Sequence, residues 1–203
     1  MIDTLIFDFG DVFINLDKQG AMQNALNLFK TDTFDDDMIK TNMLYEVGKV
    51  STEEFIDFYT SKFSYLNKNQ IIEAWNYILK DFPEYRLKFI QQLAEEKRFK
   101  LILLSNTNDM HIDFIKSNVS FYEDFKNCFD QFYLSQEIQL RKPNKDIFNF
   151  VLESNNLKPE QCFFVDDTKE NTDMAESLGI KVWNIDETNE DVINMFNLKN
   201  KFF

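Results

Sequence analysis

The chain contains few of the residues that mark several common protein classes. Of its 203 residues, 4 are Gly, 3 are Pro, 2 are Cys and 1 is His. The two cysteines, Cys128 and Cys162, lack the spacing of metal ligands, so we expect free thiols and a cytoplasmic location. No apolar run approaches the roughly 18 residues of a membrane helix, and no secretory signal is visible.

Basic residues are also scarce. Lys and Arg total 22 against 35 Asp and Glu, which gives a net charge of -13. Nucleic acids and anionic membranes are bound through positively charged surfaces, so we expect neither as a partner. A chain of this length can bury a full core, with room for one domain and an insertion.

Five short apolar runs predict β-strands, and segments of helical period separate most of them. Strands that alternate with helices favour a parallel sheet in a three-layer α/β sandwich. One stretch breaks the alternation, because it contains about four amphipathic helices and no strand. Ser51 and Glu54 form a capping-box pattern within it. The predicted strands are 2–8, 100–105, 129–134, 162–166 and 181–185, and the helical stretch is 17–83.

Asp8 directly follows the first apolar strand, at the sheet edge where open parallel sheets bind ligands. An aspartate carboxylate can attack phosphorus and form an aspartyl-phosphate, which divides hydrolysis into two steps. Because nucleophile and phosphate are both negative, a cation must offset their repulsion. A turn-capping Asp is the simpler alternative for this residue taken alone.

Ser105 and Asn106 end the second strand, and a helix follows. With Thr107 or Asn108 as the helix cap, both side chains are free to hydrogen-bond phosphate oxygens. The only histidine, His111, lies one turn into that helix, where we expect a surface or capping position.

Lys142 lies at the start of a helix, between Arg141 and Pro143. An ammonium group placed between Asp8 and a phosphate would stabilise both the carboxylate and the transferring group. A solvated lysine is the alternative, so this interpretation depends on the accompanying motifs.

Asp166 and Asp167 end the fourth strand, and Asn171 follows. Adjacent carboxylates at a strand end retain their protons unless a cation is supplied. One of the two can bind a metal ion, and Mg²⁺ prefers such oxygen ligands together with substrate phosphate. The other can orient metal-bound water or Lys142.

The order of these motifs resembles that of the haloacid dehalogenase-like hydrolase superfamily. The resemblance includes Ala175 and Gly179 after the last motif and covers the predicted core, 1–16 and 84–203. Residues 17–83 fall where that family inserts its helical C1 cap. The matching segments are Phe7–Val12, Leu104–Asn106, Arg141–Pro143 and Phe164–Asp167.

The resemblance implies a Rossmann-like sheet of strand order 5-4-1-2-3 and a Mg²⁺ cofactor. It implies that Asp8 is the nucleophile and that Lys142 bridges it to a phosphate held by Ser105, with Asn106 beside it. The metal ligands would be Asp8, the Gly10 carbonyl and Asp167, with Asp166 and Asn171 in support.

Gly10 departs from the family pattern, because most phosphatases of the family have a second Asp at this position. That Asp supplies a carbonyl to the metal and a side chain for general acid catalysis. Gly10 retains the carbonyl and lacks the proton donor, which is typically worth 10²–10⁴-fold in rate. The Asp-x-Gly-x-Val form also resembles a subgroup that includes sugar-1-phosphate phosphatases.

The sequence therefore predicts a Mg²⁺-dependent phosphatase of a small phosphorylated metabolite, such as a sugar phosphate. Two alternatives remain open. Gly10 is compatible with a catalytically silent relative that binds a phosphorylated ligand or a protein. A 2-haloacid dehalogenase also uses an Asp nucleophile, but the paired carboxylates Asp166 and Asp167 argue against a metal-free site.

Overall fold

A computed structural model describes all residues, 1–203, and its centre is a five-stranded parallel sheet. The strand order is β3-β2-β1-β4-β5, the same neighbours as in the predicted order 5-4-1-2-3, so the predicted α/β fold is confirmed. The strands are β1 (Thr4–Phe7), β2 (Lys100–Ser105), β3 (Gln131–Leu134), β4 (Cys162–Asp166) and β5 (Lys181–Asn184).

The three central strands are buried on both faces, which explains their continuous apolar sequences. Alternate residues enter two separate cores because side chains of a strand point to opposite faces. Leu5 and Phe7 belong to the larger core, and Ile6 belongs to the smaller one. Two cores on one sheet are what a three-layer sandwich requires.

Helices cover both faces of the sheet. The larger core takes apolar residues from α5 (Glu84–Glu96), α6 (Asp109–Asn118) and α7 (Tyr122–Lys126). The smaller core takes them from α9 (Lys145–Ser154) and α10 (Lys169–Ser177). The chain after α5 also contains two short helices, α8 (Ser135–Ile138) and α11 (Met195–Leu198).

Four helices lie between β1 and α5 and have a hydrophobic core of their own. They are α1 (Lys18–Phe29), α2 (Asp36–Glu46), α3 (Thr52–Lys62) and α4 (Lys68–Asn76). The Ser51–Glu54 capping box is present at the start of α3. Met110 of α6 also packs in this core, which joins the four helices to the sheet layers. The domain boundaries at residues 17 and 83 stay a prediction.

The C-terminal residues pack on the larger core. Phe203 lies 5.2 Å from Phe163 and 5.8 Å from Phe99, measured between ring centroids. Cys128 and Cys162 are free thiols, the first half-buried and the second buried. None of the helices is both long enough and apolar enough to cross a membrane.

His111 connects α6 to α4 through a carbonyl in the last turn of α4, so of the surface and capping positions that the sequence suggested, the structure shows a capping contact. Its Nε2 donates to the Trp75 carbonyl oxygen at 3.0 Å, and its Nδ1 accepts from Asn108 at 3.1 Å. A carbonyl only accepts, so these partners require the neutral tautomer with hydrogen on Nε2.

We expect His111 to make stability depend on pH. Burial lowers its pKa to about 4, from 6.5 in the unfolded chain. The stability that neutral His111 gives to the folded protein is therefore fully present above pH 6.5, and it is lost as the pH falls toward 4. Thermal unfolding should show the Tm advantage of the wild type over His111→Gln shrinking across that interval. A difference independent of pH would contradict this prediction.

Candidate active site

The polar side chains singled out in the sequence meet at the carboxyl edge of the sheet. Asp8 follows β1, which lies at the centre, and Asp166 ends the neighbouring β4. Ser105 ends β2 on the other side of β1. Parallel strands bring their carboxyl ends to one edge, so residues far apart in sequence become neighbours there.

Lys142 is a fully buried cation held between two carboxylates. Its Nζ lies 2.8 Å from Asp8 Oδ1 and 2.6 Å from Asp166 Oδ2, and its side chain has no exposed surface. Burial acts to lower its pKa, but Asp166 and Asp8 outweigh it and raise the pKa of Lys142. The ammonium group is therefore charged and fixed beside Asp8.

Asp166 is occupied by contacts within the protein. Besides Lys142, it accepts hydrogen bonds from the Asn171 amide at 3.0 Å to each carboxylate oxygen. The backbone N–H of Thr168 donates to it at 2.8 Å. Of the two roles that the sequence left open for this pair, the contacts of Asp166 favour orienting Lys142.

Asn106 differs from the expectation of a free side chain. Its amide group donates to the Lys142 carbonyl at 2.9 Å, and its side-chain oxygen accepts from the Lys142 N–H at 2.9 Å. Asn106 therefore fixes the backbone of the lysine, although it also lines the cleft. The adjacent Ser105 is buried, and the Asn106 carbonyl oxygen lies 3.5 Å from its hydroxyl oxygen.

Lys18, the first residue of α1, is a member of the site that sequence reasoning missed. It forms ion pairs with Asp167 and, at 2.8 Å, with Asp11. Burial opposes its charge, but the hydrogen bonds to these two carboxylates raise the pKa of Lys18. Asp11 is also engaged elsewhere, because it accepts the Leu16 N–H at 2.8 Å.

Asp8, Asp166 and Asp167 form a group of donors that suits a divalent cation. One oxygen from each carboxylate lies within 4.8 Å of the other two. Burial raises the pKa of Asp8 to about 7, and the charges of Asp166 and Asp167 add to the rise that Lys142 counteracts. A hard cation would offset this repulsion, and carboxylate oxygens are the ligands that Mg²⁺ prefers.

A polar cleft of about 400 Å³ opens beside these carboxylates. Asp8, Gly10, Lys142 and Asp167 line it. No backbone N–H donates to the Gly10 carbonyl oxygen, so this oxygen is available as a further ligand. Mg²⁺ could thus be held by Asp8, Asp167 and the Gly10 carbonyl, the set that the family resemblance implies.

The side chain of Leu16 occupies the space next to position 10. A Cβ built on Gly10 would lie 2.6 Å from Leu16 Cδ1, well inside van der Waals contact. Leu16 itself packs against the larger core. A general acid at position 10 would therefore require the flexible end of Leu16 to move.

We expect Gly10→Ala to destabilise the protein by about 1 kcal/mol, since the added methyl displaces the half-buried end of Leu16. In the Leu16→Ala background the same change should cost less. A double-mutant cycle by urea unfolding measures the difference, expected at about 0.5 kcal/mol or more. Additive effects of the two substitutions would show that Leu16 does not restrict position 10.

A family model and a curated relative match the sequence of this chain. The model of haloacid dehalogenase-like hydrolases matches residues 2–179. D-ribitol-5-phosphate phosphatase from Bacteroides thetaiotaomicron is 28% identical over an alignment of 193 positions, which covers 90% of this chain and 91% of the relative.

Solved structures of similar proteins extend the agreement to the whole chain. A HAD family enzyme from Bacteroides thetaiotaomicron, solved as a magnesium complex, is 32% identical with a TM-score of 0.85, over 96% of this chain and 98% of that chain. The wild-type enzyme in complex with magnesium and inorganic phosphate is 31% identical with a TM-score of 0.83, over 97% and 100% of the two chains.

Proposed function

Because this chain belongs to the haloacid dehalogenase-like hydrolase family, we propose that it is a Mg²⁺-dependent phosphatase of a small phosphorylated metabolite, with Asp8 as nucleophile. The buried Lys142 between Asp8 and Asp166 carries the proposal. A fully desolvated ion pair at a cleft is costly to maintain, and a chemical role beside the nucleophile accounts for it.

In the proposed first step, an Asp8 carboxylate oxygen attacks phosphorus while the bond from phosphorus to the ester oxygen breaks. An aspartyl-phosphate forms, and the ester oxygen leaves with the electron pair of that bond and takes a proton from solvent water to become the alcohol. Lys142 stabilises the charge that develops on the phosphoryl oxygens near Asp8. Ser105 and backbone N–H groups of the following turn would hold the phosphate.

In the second step, water attacks the phosphorus of the aspartyl-phosphate, the acyl oxygen bond to phosphorus breaks, and Asp8 is regenerated with release of phosphate. Asp8, Asp167 and the Gly10 carbonyl would hold Mg²⁺, which supplies positive charge against the negative phosphate. Asp166, fixed by Asn171, keeps Lys142 in place through both steps.

The four helices between β1 and α5 would act as a cap over the cleft. Lys18 begins the first of them and already contacts Asp167 in the sheet layers. A cap of this kind excludes water and selects the substrate. The free thiols of Cys128 and Cys162 are compatible with the reducing cytoplasm as the place of action.

We expect the phosphatase activity to depend on a divalent cation. With acetyl phosphate as substrate, excess EDTA should lower the rate by about 100-fold or more, because Asp8 then attacks phosphate without the offsetting charge. Added Mg²⁺ should restore the rate, which release of inorganic phosphate measures.

The other hypotheses give different outcomes in the same assay. No hydrolysis of any phosphoester, with no effect of Asp8→Asn, would favour the catalytically silent relative. Chloride release from 2-chloropropionate in EDTA would favour a dehalogenase. The likeness to the L-2-haloacid dehalogenase RSc1362, at 17% identity and a TM-score of 0.57, shows the fold alone.

A further inference from the structure

A second cavity lies beside the polar cleft, between the helices α1, α4 and α6. Its volume is about 270 Å³, and seven of the nine residues that line it are hydrophobic. Ala21, Met22 and Ala25 contribute from α1, and Ala74 and Trp75 from α4. This cavity has the size of a small organic group and no assigned role in the proposed reaction.

The two polar residues of the cavity are engaged by other protein groups. Both ring nitrogens of His111 are hydrogen-bonded, to the Trp75 carbonyl and to Asn108. The ammonium group of Lys18 is paired with Asp11 and Asp167. The indole Nε1 of Trp75 is buried without a partner and could serve at most one oxygen. A ligand with several hydroxyl groups would leave most of them unpaired here.

Lys18 joins this cavity to the polar cleft, because it is the residue that lines both. Ala21, Met22 and Ala25 follow it at helical spacings of three, four and seven residues, so they continue its face of α1. From Lys18 to Ala25 this face extends about 10 Å at the rise of an α-helix. An alcohol portion that extends from a phosphate beside Asp8 past Lys18 would meet this apolar surface.

We propose that this cavity binds the leaving alcohol of the substrate and that the preferred substrates are phosphomonoesters with a largely apolar alcohol portion. The inference rests on the proposed phosphatase function. Buried hydroxyl groups without partners cost binding energy, whereas methylene groups gain it in an apolar cavity. This preference for an apolar alcohol portion would distinguish the chain from the similar D-ribitol-5-phosphate phosphatase.

Two esters of equal chain length test the proposal, n-pentyl phosphate and D-ribitol 5-phosphate. Both release a primary alcohol of five carbons, and they differ in the hydroxyl groups of the chain. With the Mg²⁺-loaded enzyme, we expect kcat/KM for n-pentyl phosphate to be at least about tenfold higher. Equal or higher kcat/KM for D-ribitol 5-phosphate would overturn the inference and leave the phosphatase function intact.

Substitutions in α1 test whether the apolar cavity causes this substrate preference. Ala21→Phe fills the cavity and should lower the ratio of kcat/KM for n-pentyl phosphate to that for acetyl phosphate by about tenfold or more. Met22→Glu, at a half-exposed position, should lower the same ratio and is tolerated by the helix. Gln23→Phe, exposed on the same helix outside the cavity, is the matched control and should leave the ratio unchanged.

The remaining outcomes are also decisive. If both cavity variants fold and leave the ratio unchanged, the cavity is not the alcohol site and the inference is wrong. Hydrolysis of acetyl phosphate without hydrolysis of either ester would also overturn it. If none of the three compounds is hydrolysed, the proposed phosphatase function itself fails.

Discussion

Asp8→Asn is expected to lower phosphatase activity by about 10⁴-fold or more, because an amide cannot attack phosphorus as the carboxylate does. The same substitution should stabilise the metal-free protein at neutral pH. Burial, assisted by Asp166 and Asp167, raises the pKa of Asp8 from 3.8 to about 7 in the folded chain. Because the folded protein favours protonated Asp8, the stability that this group contributes is fully present below pH 3.8, and it is lost as the pH rises toward 7.

Two measurements check this prediction. Phosphate release in Mg²⁺ gives the loss of activity, and thermal unfolding in EDTA gives the Tm of variant and wild type. The Tm of Asp8→Asn relative to the wild type should rise between pH 4 and 7 and then level off. Asp57→Asn, at an exposed position within α3, is the control and should change neither quantity. Retained activity would exclude Asp8 as the nucleophile.

Lys142→Met is expected to cost about 3–5 kcal/mol of stability, since it leaves buried carboxylates without their cation. Activity should fall by about 10²–10³-fold, as for the loss of other groups that stabilise transition-state charge. Urea unfolding and initial rates measure the two effects. Methionine has a similar length, so the loss reflects charge more than volume.

A second substitution separates the effect of Lys142 on stability from its effect on activity. Adding Asp166→Asn to Lys142→Met should recover part of the stability, because it removes one uncompensated charge, but should recover no activity. Lys145→Met, at an exposed position at the start of α9, controls for the loss of a lysine in this region. An unchanged free energy of unfolding in Lys142→Met would show that the buried ion pairs of Lys142 do not stabilise the folded protein.

The sheet and its edge residues could be predicted because their patterns are local. Each central strand is an uninterrupted apolar run, and a carboxylate or hydroxyl ends it. The strand order and the full assignment of the chemistry came from the family resemblance, which the order of the motifs carries. Asp8, Lys142 and Asp166 are therefore adjacent in the structure as the sequence analysis expected.

The contacts that escaped prediction join segments far apart in sequence. Lys18 and Asp167 are separated by 149 residues. No local sequence pattern predicts where α1 lies relative to the edge of the sheet. Asn106 and the backbone of Lys142 are 36 residues apart, and an Asn before a helix is typical of caps. The sequence around His111 does not indicate that Trp75 is its partner, because the packing of α6 against α4 decides that contact.

The contact between Leu16 and position 10 constrains how this site can change over evolutionary time. A carboxylate that replaces Gly10 would meet the terminal methyl of Leu16, so the half-buried leucine would have to change its rotamer. A smaller residue at position 16 would remove that cost. Gain of an acid at position 10 is thereby coupled to the side chain at position 16.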